Sequence, residues 1–500
     1  MKLSEVIANI LKENYADERF LHEPSLSKKD DWSIVFSEED IIVQLKNISW
    51  RKSVGTDCIP ARIYSEAADY ISKPLKLIYE ASIEQRLFPN VWKTATITPI
   101  PKSTPPDPHK TRPISTFPPA SKILEKIVLQ KMWWRIEQHL SDNQHGFRPS
   151  HSTSTALIHL MENLLYIFDN KNTTGIVIIS LDLSSAFDCV NHRLLCNKLL
   201  GMGFPFDFVE WMRSYLSNRK FVVKVNSKTS SKKDMMKGVA QGSVLGPSLF
   251  SIYTSDFSAR LPTTQQVKYA DDMYLILPIT QEKDIRDSIL QEVSNAEEWC
   301  TQNKLLLNTK KSSIMICNKN MNCTLSNLPF PVVTKMKVLG TILNDKLTWD
   351  DHIENTVKRC NRRFFILRKL KHYLSPKELQ MIYSGIMQSL LEYSCTAFVN
   401  LPKRLEKKIQ RVDNRAFKFI YPDRQDRYKH GWKPNRMQKR RGKMSKKLFL
   451  TISRTQHHLL HKYIPDRLHY SKHFRLQKTR TEKYKHSFFP YVTSLLNKEN

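Results

Sequence analysis

Three carboxylates are the residues in this sequence best suited to chemistry. Asp182 ends the run Ile176-Val177-Ile178-Ile179-Ser180-Leu181, and Asp271-Asp272 lie side by side further along the chain. The first run is rich in β-branched residues and reads as a buried strand. Val267 to Leu277 reads as strand–turn–strand with Ala270-Asp271-Asp272 at the turn. Carboxylates at the ends of two neighbouring strands can converge on the same hard cations. Mg²⁺ is held by few carboxylates, leaving its other positions to water and substrate phosphates. Two such ions about 3.5–4 Å apart activate an attacking hydroxyl and stabilise a leaving oxygen. Each feature alone also has an ordinary reading, because Asp is common in hairpin turns. Between the two strands lies the glycine-punctuated Gly238-Val239-Ala240-Gln241-Gly242-Ser243-Val244-Leu245-Gly246-Pro247, and the combination is what points to a site.

The surrounding chain supplies elements to hold these residues. Eight prolines between Pro99 and Pro119 are too many for a helix or a central strand and predict an extended, loop-rich segment. A helix follows over Ser121–His139, with Ile123, Ile127, Met132 and Ile136 on one face. Beyond Gly340, the residues Ile353, Val357, Cys360, Phe364, Leu367 and Leu374 recur at helical spacing. Lys358, Arg359, Arg362, Arg363, Arg368 and Lys369 cover much of the remaining surface of that helix. From Lys403 to Lys447 there are 18 Lys and Arg against four Asp and Glu.

Composition narrows the partner. Lys and Arg number 79 against 48 Asp and Glu, a formal net charge of +31. An excess of this size calls for a polyanion, with nucleic acid the first candidate. A basic membrane-surface protein would carry a lipidation signal or amphipathic anchor, and Met1-Lys2-Leu3-Ser4 begins no myristoylation motif. No stretch reaches the ~18–20 apolar residues needed to cross a bilayer, and the N-terminus lacks a secretory layout. The eight cysteines are scattered, without CxxC pairs, and read as free core thiols of a reducing, intracellular protein of the nucleus or cytoplasm.

Tyr269-Ala270-Asp271-Asp272 resembles the Tyr/Phe-Ala-Asp-Asp motif of reverse transcriptases. Leu181-Asp182-Leu183-Ser184-Ser185-Ala186-Phe187-Asp188 is similar to their first aspartate motif in its non-LTR form, and Gly238 to Pro247 resembles their Gly-x-x-Gln-Gly-Ser-x-Leu-Gly-Pro segment. Upstream lie Gly55-Thr56-Asp57-Cys58-Ile59-Pro60, Pro99-Ile100-Pro101-Lys102, Arg112-Pro113-Ile114-Ser115 and Gln144-His145-Gly146-Phe147-Arg148. Asn308-Thr309-Lys310-Lys311-Ser312 and Leu339-Gly340 lie downstream. Nine blocks in the family's order identify the chain as similar to LINE-type, jockey-like non-LTR retrotransposon reverse transcriptases over about residues 35–350, with looser similarity beyond. Cys58 stands where the family usually has glycine, Thr56 where it has proline and Ser312 where it has threonine.

The resemblance implies an α+β right-hand polymerase with fingers, an antiparallel palm sheet and a helical thumb, followed by a basic, mainly helical C-terminal region. It divides the chain into a lead-in (1–35), fingers and palm (36–345), thumb (346–400) and basic tail (401–500). It implies RNA-directed DNA synthesis, with an RNA template, a DNA primer and dNTPs as partners, no membrane, and two Mg²⁺ ions (or Mn²⁺) as cofactors. Asp182 and Asp271 would ligate both ions, Asp272 would support them, and the carbonyl of Leu183 would join the shell. Phe187 would stack beneath the incoming sugar and exclude a 2′-hydroxyl. Gln241 and Gly242 would lie against the template–nucleotide pair. Lys102 and Arg112 would clamp the triphosphate, and Lys311 would meet pyrophosphate, although neighbouring Lys310 fits equally well.

Lys358, Arg359, Arg362 and Arg363 on the thumb helix, and Lys439, Arg440, Arg441 and Lys443 in the tail, would meet nucleic-acid phosphates, with Tyr428 and Trp432 stacking on bases. His457, His458 and His461 read as a surface cluster. No zinc-knuckle pattern appears in the tail, and so little chain precedes the resemblance that the sequence reads as a part of a full element. Two other readings stay open: a catalytically silent, nucleic-acid-binding remnant, and a domesticated or intron-type reverse transcriptase. Oligomeric state is not legible in the sequence.

Overall fold

The computed structural model describes residues 3–17, 34–51, 54–280, 284–318, 327–468 and 473–498; the charged stretch Ser27–Asp31 and Cys323 lie outside them. The chain forms two compact units. The first comprises Met1–Ser141, Leu183–Phe257 and Ala296–Leu307; the second comprises Asp142–Asp182, Ser258–Asn295 and Asn308–Asn500.

In the first unit, strand Thr94–Pro101 lies between Thr111–Thr116, which is antiparallel to it, and Arg219–Val225, which is parallel. The proline-rich segment is thus partly sheet, not loop throughout. The parallel neighbour pairs only Thr94–Ile97, so Pro99 and Pro101 fall where that side of the strand is free and a missing N–H costs nothing. Helix Leu3–Asn14 places Ile7 and Leu11 one turn apart on the same face, with Tyr15 just past its end. These residues pack against Ala95, Ile97, Phe117, Phe221 and Val223 in one core. Helix Pro119–His139 begins with proline in its first turn, where no N–H is needed. It buries Ile123, Ile127, Met132 and Ile136 as their spacing predicts.

The second unit is built on a four-stranded antiparallel sheet in the order Gln265–Tyr269, Asp272–Ile279, Gly175–Leu181, Ser313–Asn318. Ile176 to Ile179 of the third strand are fully buried, which explains why that run is apolar on both faces. Helix Thr153–Asp169, opened by a capping box at Ser152, lays Leu157, Leu160, Met161 and Leu164 into the same core as Ile176, Ile178, Ile276 and Met315. The hairpin Lys335–Val338/Thr341–Asn344 turns through Leu339-Gly340, both at positive φ, the geometry that matches strand twist.

Helix Asp350–Leu370 buries Ile353, Cys360, Phe364 and Leu367. It stops short of the expected Leu374, because Ser375 and Glu378 form a capping box that starts a new helix at Pro376. Helix Lys403–Ile420 buries Leu405, Ile409, Val412, Ala416 and Phe417 against it. Phe449 and Ile452 of helix Arg436–Arg454, together with Phe488, Phe489 and Val492, join the sheet core. Cys196, Cys300, Cys317, Cys360 and Cys395 are buried free thiols. No helix among the described residues is long and apolar enough to cross a membrane.

Glu162, on helix Thr153–Asp169, is buried beneath helix Phe488–Asn497. Its Oε1 accepts the Phe489 N–H at 3.3 Å, while Oε2 has no partner. Burial pushes its pKa up to about 7, against hydrogen bonds from residues 487–489 that pull it down. A folded-state pKa above the unfolded one means that this group's contribution is fully present below the unfolded value of 4.5 and is lost as pH rises through about 7. Glu162→Gln is therefore expected to leave thermal stability unchanged near pH 4.5. At pH 8 it should raise stability by on the order of 3 kcal/mol, read as Tm against pH.

Candidate active site

The placement of the aspartates follows from strand register. Leu181 pairs with Met273 across the sheet, so Asp182 and Asp272, the next residue on each strand, are abreast. Tyr269 pairs with Asp272, leaving Ala270 and Asp271 as a two-residue turn with Ala270 at φ +56°. A non-glycine residue in that region needs outside support, and Gln144 provides it. Its Oε1 accepts the Ala270 N–H at 2.9 Å and its Nε2 donates to the Ala270 carbonyl at 3.2 Å. The same oxygen accepts the Gly146 N–H at 2.7 Å. A Cβ on Gly146 would lie 2.3 Å from the Ala270 nitrogen, so only glycine lets this loop close on the turn. Backbone bonds from His145 and Lys268 (2.9 and 2.8 Å) and a His145–His159 ring contact at 2.9 Å anchor the loop to the sheet and to the covering helix. In the sequence Gln144 and Gly146 are only part of a resemblance; their job of holding the turn is visible only in the fold.

The electrostatics of the three carboxylates suit a cation. Burial, then the charges of Asp271 and Asp182, push Asp272 up to about 6, with Lys337 opposing. Asp182 is held through its backbone: its N–H donates to Ser312 Oγ at 3.1 Å and its carbonyl accepts the Asn308 N–H at 2.8 Å. Its Oδ2 is buried without a hydrogen bond, and the Lys311 ammonium lies 3.7 Å away. Lys311, rather than Lys310, is thus the lysine beside the site. Among the described residues no group of three or more His, Cys, Asp or Glu closes into a metal cage. A magnesium site of the polymerase kind needs only one or two carboxylates plus phosphates and water. A buried oxygen without a hydrogen bond, and a carboxyl pushed up by burial and by the charges of its neighbours, are what such an ion would relieve, so the residues present fit the group.

In the first unit a second set of predicted residues comes together. Phe187 stacks on Phe250, centroids 4.4 Å apart, and its carbonyl accepts the Val239 N–H at 2.8 Å. Gln241's carbonyl accepts the Ser115 N–H at 2.7 Å. A Cβ on Gly242, at φ +124°, would meet the Ser115 carbonyl at 2.2 Å. The Arg-Pro-Ile-Ser and Gln-Gly segments are therefore in direct contact. Arg112 is exposed and pairs with Ile100 across the proline-rich hairpin. Lys102, just past the first strand, bonds Lys110 through its backbone at 2.8 Å and exposes its side chain. Leu183 is buried, bridging Leu307. Asp188, which nothing in the sequence marks as a site residue, is buried: its Oδ1 accepts from Gln241 Nε2 at 3.1 Å and from Tyr15 Oη at 3.2 Å.

The basic candidates divide by environment. Lys358, Arg359 and Arg362 are exposed, whereas Arg363 donates to the Ile386 carbonyl at 2.6 Å. Lys358 also lines a groove of about 520 Å³ with Lys408, Arg411 and Arg415, three cations the sequence pattern did not single out. Lys439 and Lys443 are exposed, and Arg440 is ion-paired with Glu392. Arg441 is a correction: it is 2% exposed and paired with Glu406, because the helix turns it inward, so it meets no phosphate. Trp432 likewise packs in the helical core and donates to Asn414 at 2.9 Å. His458 is buried and stacked on His151 at 4.1 Å, not on the surface.

This α+β architecture and the motif-bearing antiparallel sheet fit the fold class of right-hand polymerases. Residues 100–343 match the family described as reverse transcriptase (RNA-dependent DNA polymerase), and the similarity to known proteins supports a reverse transcriptase of the LINE-type, non-LTR kind. It is 30% identical over 454 residues to the RNA-directed DNA polymerase from mobile element jockey of Drosophila melanogaster, covering 84% of this chain and 49% of the relative. It is 29% identical over 407 residues to the probable RNA-directed DNA polymerase from transposon BS of the same fly (76% and 44%). A third relative from that fly, the probable RNA-directed DNA polymerase from transposon X-element, is 27% identical over 362 residues (69% and 39%). The chain spans about half the length of these relatives or less.

The difference between Arg441 and its neighbours is measurable. Breaking a buried ion pair by removing one partner costs about 3–5 kcal/mol, whereas exposed lysines contribute little. Arg441→Glu is expected to lower Tm sharply or prevent folding. Lys439→Glu with Lys443→Glu should leave Tm close to the parent, as differential scanning fluorimetry would read.

Proposed function

We propose that the chain is an RNA-directed DNA polymerase extending a DNA primer on an RNA template. The observation that carries this reading is the register that sets Asp182 abreast of Asp272, with Asp271 in the clamped turn immediately before Asp272. Asp182 and Asp271 would hold two Mg²⁺ ions, Asp272 would support them, and the Leu183 carbonyl would complete the shell. When bound, these ions would lower the pKa of the primer 3′-hydroxyl and neutralise the leaving pyrophosphate. The 3′-oxygen forms a bond to the α-phosphorus as the α–β phosphoanhydride bond breaks, and the hydroxyl proton passes to solvent.

Lys311, at 3.7 Å from Asp182, would balance charge on the departing pyrophosphate. Arg112 and Lys102, both exposed at the proline-rich hairpin, would grip the triphosphate, with Gln241 and Gly242 against the nascent pair. Phe187, stacked on Phe250, would hold its ring as a wall beside C2′. The sheets and the helices packed on them serve as fingers and palm, and helix Asp350–Leu370 begins the thumb. Lys358, Arg359 and Arg362 would follow template–primer phosphates, with Lys439 and Lys443 extending that contact.

Asp271→Asn is expected to reduce extension by about 10³-fold or more, because a metal ligand supplies several kcal/mol of transition-state stabilisation. The Tm should stay close to the parent's. Near-parental extension with dNTPs and Mg²⁺ would overturn the site. Phe187→Val should raise incorporation of a ribonucleotide relative to its deoxy counterpart, measured as the ratio of kcat/KM values; an unchanged ratio in an active variant removes the gate.

A further inference from the structure

Asp188 and Tyr15 are buried polar residues that the chemistry above does not use. Asp188 is 4% exposed and Tyr15 1%. A single oxygen of Asp188 accepts two donors, the Tyr15 hydroxyl at 3.2 Å and Gln241 Nε2 at 3.1 Å. Three separate pieces of chain meet there: the end of the first helix, the turn following Phe187, and the glycine-punctuated segment. Only the last two lie within residues 100–343, the part matched by the family.

We infer that Tyr15 and Asp188 are positioning residues which fix the side-chain amide of Gln241 for the incoming nucleotide. The inference rests on the polymerase reading above and adds to it a role for the N-terminal helix. A carboxylate is an acceptor only, so the end of the amide facing Asp188 must be Nε2. The carbonyl end is then presented on the opposite side, and the amide cannot flip without turning an acceptor onto an acceptor. Gln241's main chain is already committed, its carbonyl accepting from Ser115, so orientation of the side chain is what Asp188 controls.

Asp188 in turn needs Tyr15. A carboxylate in an apolar core costs several kcal/mol unless its lone pairs are occupied. Tyr15 reaches it because Ile7, Leu11 and the Tyr15 ring pack in the sheet core, the ring edge-on to Phe221 at 5.5 Å. Its carbonyl also accepts the Met236 N–H at 3.1 Å. The hydroxyl is therefore aimed by packing on one side and by the sheet edge on the other.

The test is primer extension by the full chain with dNTP concentration varied, on Tyr15→Phe, Gln241→Met and the double variant. Tyr15→Phe keeps the ring and its packing and removes one donor. We expect KM for the nucleotide to rise roughly three- to tenfold, the worth of one net hydrogen bond, with kcat little changed. KM does not depend on the fraction of enzyme that is folded, so a loss of active protein cannot imitate this result. In the Gln241→Met background the same change should have no further effect on KM, because the amide it positions is gone. Unchanged KM in Tyr15→Phe, or an equal rise in both backgrounds, overturns the inference while leaving the polymerase reading intact. A parent protein that extends no primer overturns both.

Discussion

The pairing of strand Gly175–Leu181 with strand Asp272–Ile279 is the constraint on which the candidate metal site depends. Side chains alternate faces along a strand, so a slip of one residue would turn every inward residue outward and move Asp272 away from Asp182. What prevents the slip is burial. Ile176, Val177, Ile178 and Ile179 are fully covered, and the strand is paired along both edges, to Asp272–Ile279 and to Ser313–Asn318. Covering it on one face is a helix that itself buries eleven of its residues. An apolar core thus sets the position of three carboxylates.

Two close approaches of backbone to backbone then finish what register begins. Gly146 admits the Gln144 loop to the turn carrying Asp271, and Gly242 admits the Gln241 segment to Ser115. In both places a side chain would collide with main-chain atoms, which cannot move aside cheaply. Gln144, Ser312 and Asp188 spend their hydrogen bonds on main chain or on a neighbouring side chain at these junctions. Such residues hold the geometry that Asp182, Asp271 and Gln241 need.

Charge follows a similar division. A formal net charge of +31 suggests a surface made for phosphates, yet several of the cations are structural. Arg436 bonds Asp413 at 2.6 Å, Arg440 pairs with Glu392 and Arg441 with Glu406, tying the helix Arg436–Arg454 to its neighbours. What is left at the surface is a smaller exposed set that includes Lys358, Arg359, Arg362, Lys439 and Lys443. Arginine suits the buried role because its planar fork makes paired bonds with a carboxylate and stays charged when covered.

Much of the site was legible in the sequence because its signals are local. A branched run ending in aspartate, a two-residue turn carrying an aspartate pair, and helical spacing at Ile123–Ile136 and Ile353–Leu367 all follow from the conformations those residues favour. The sequence alone likewise determined the family resemblance and the excess of positive charge that points to a polyanionic partner. Tertiary structure decided the rest, since contacts between distant residues leave no periodic trace. Nothing near Arg441 distinguishes it from Lys439 or Lys443 until a helix face is chosen by packing. Nothing near Tyr15 announces Asp188, 173 residues away. Whether a lysine faces a carboxylate, as Lys311 does and Lys310 does not, is settled by the path of the backbone through a turn, and that path is set by the strands it joins.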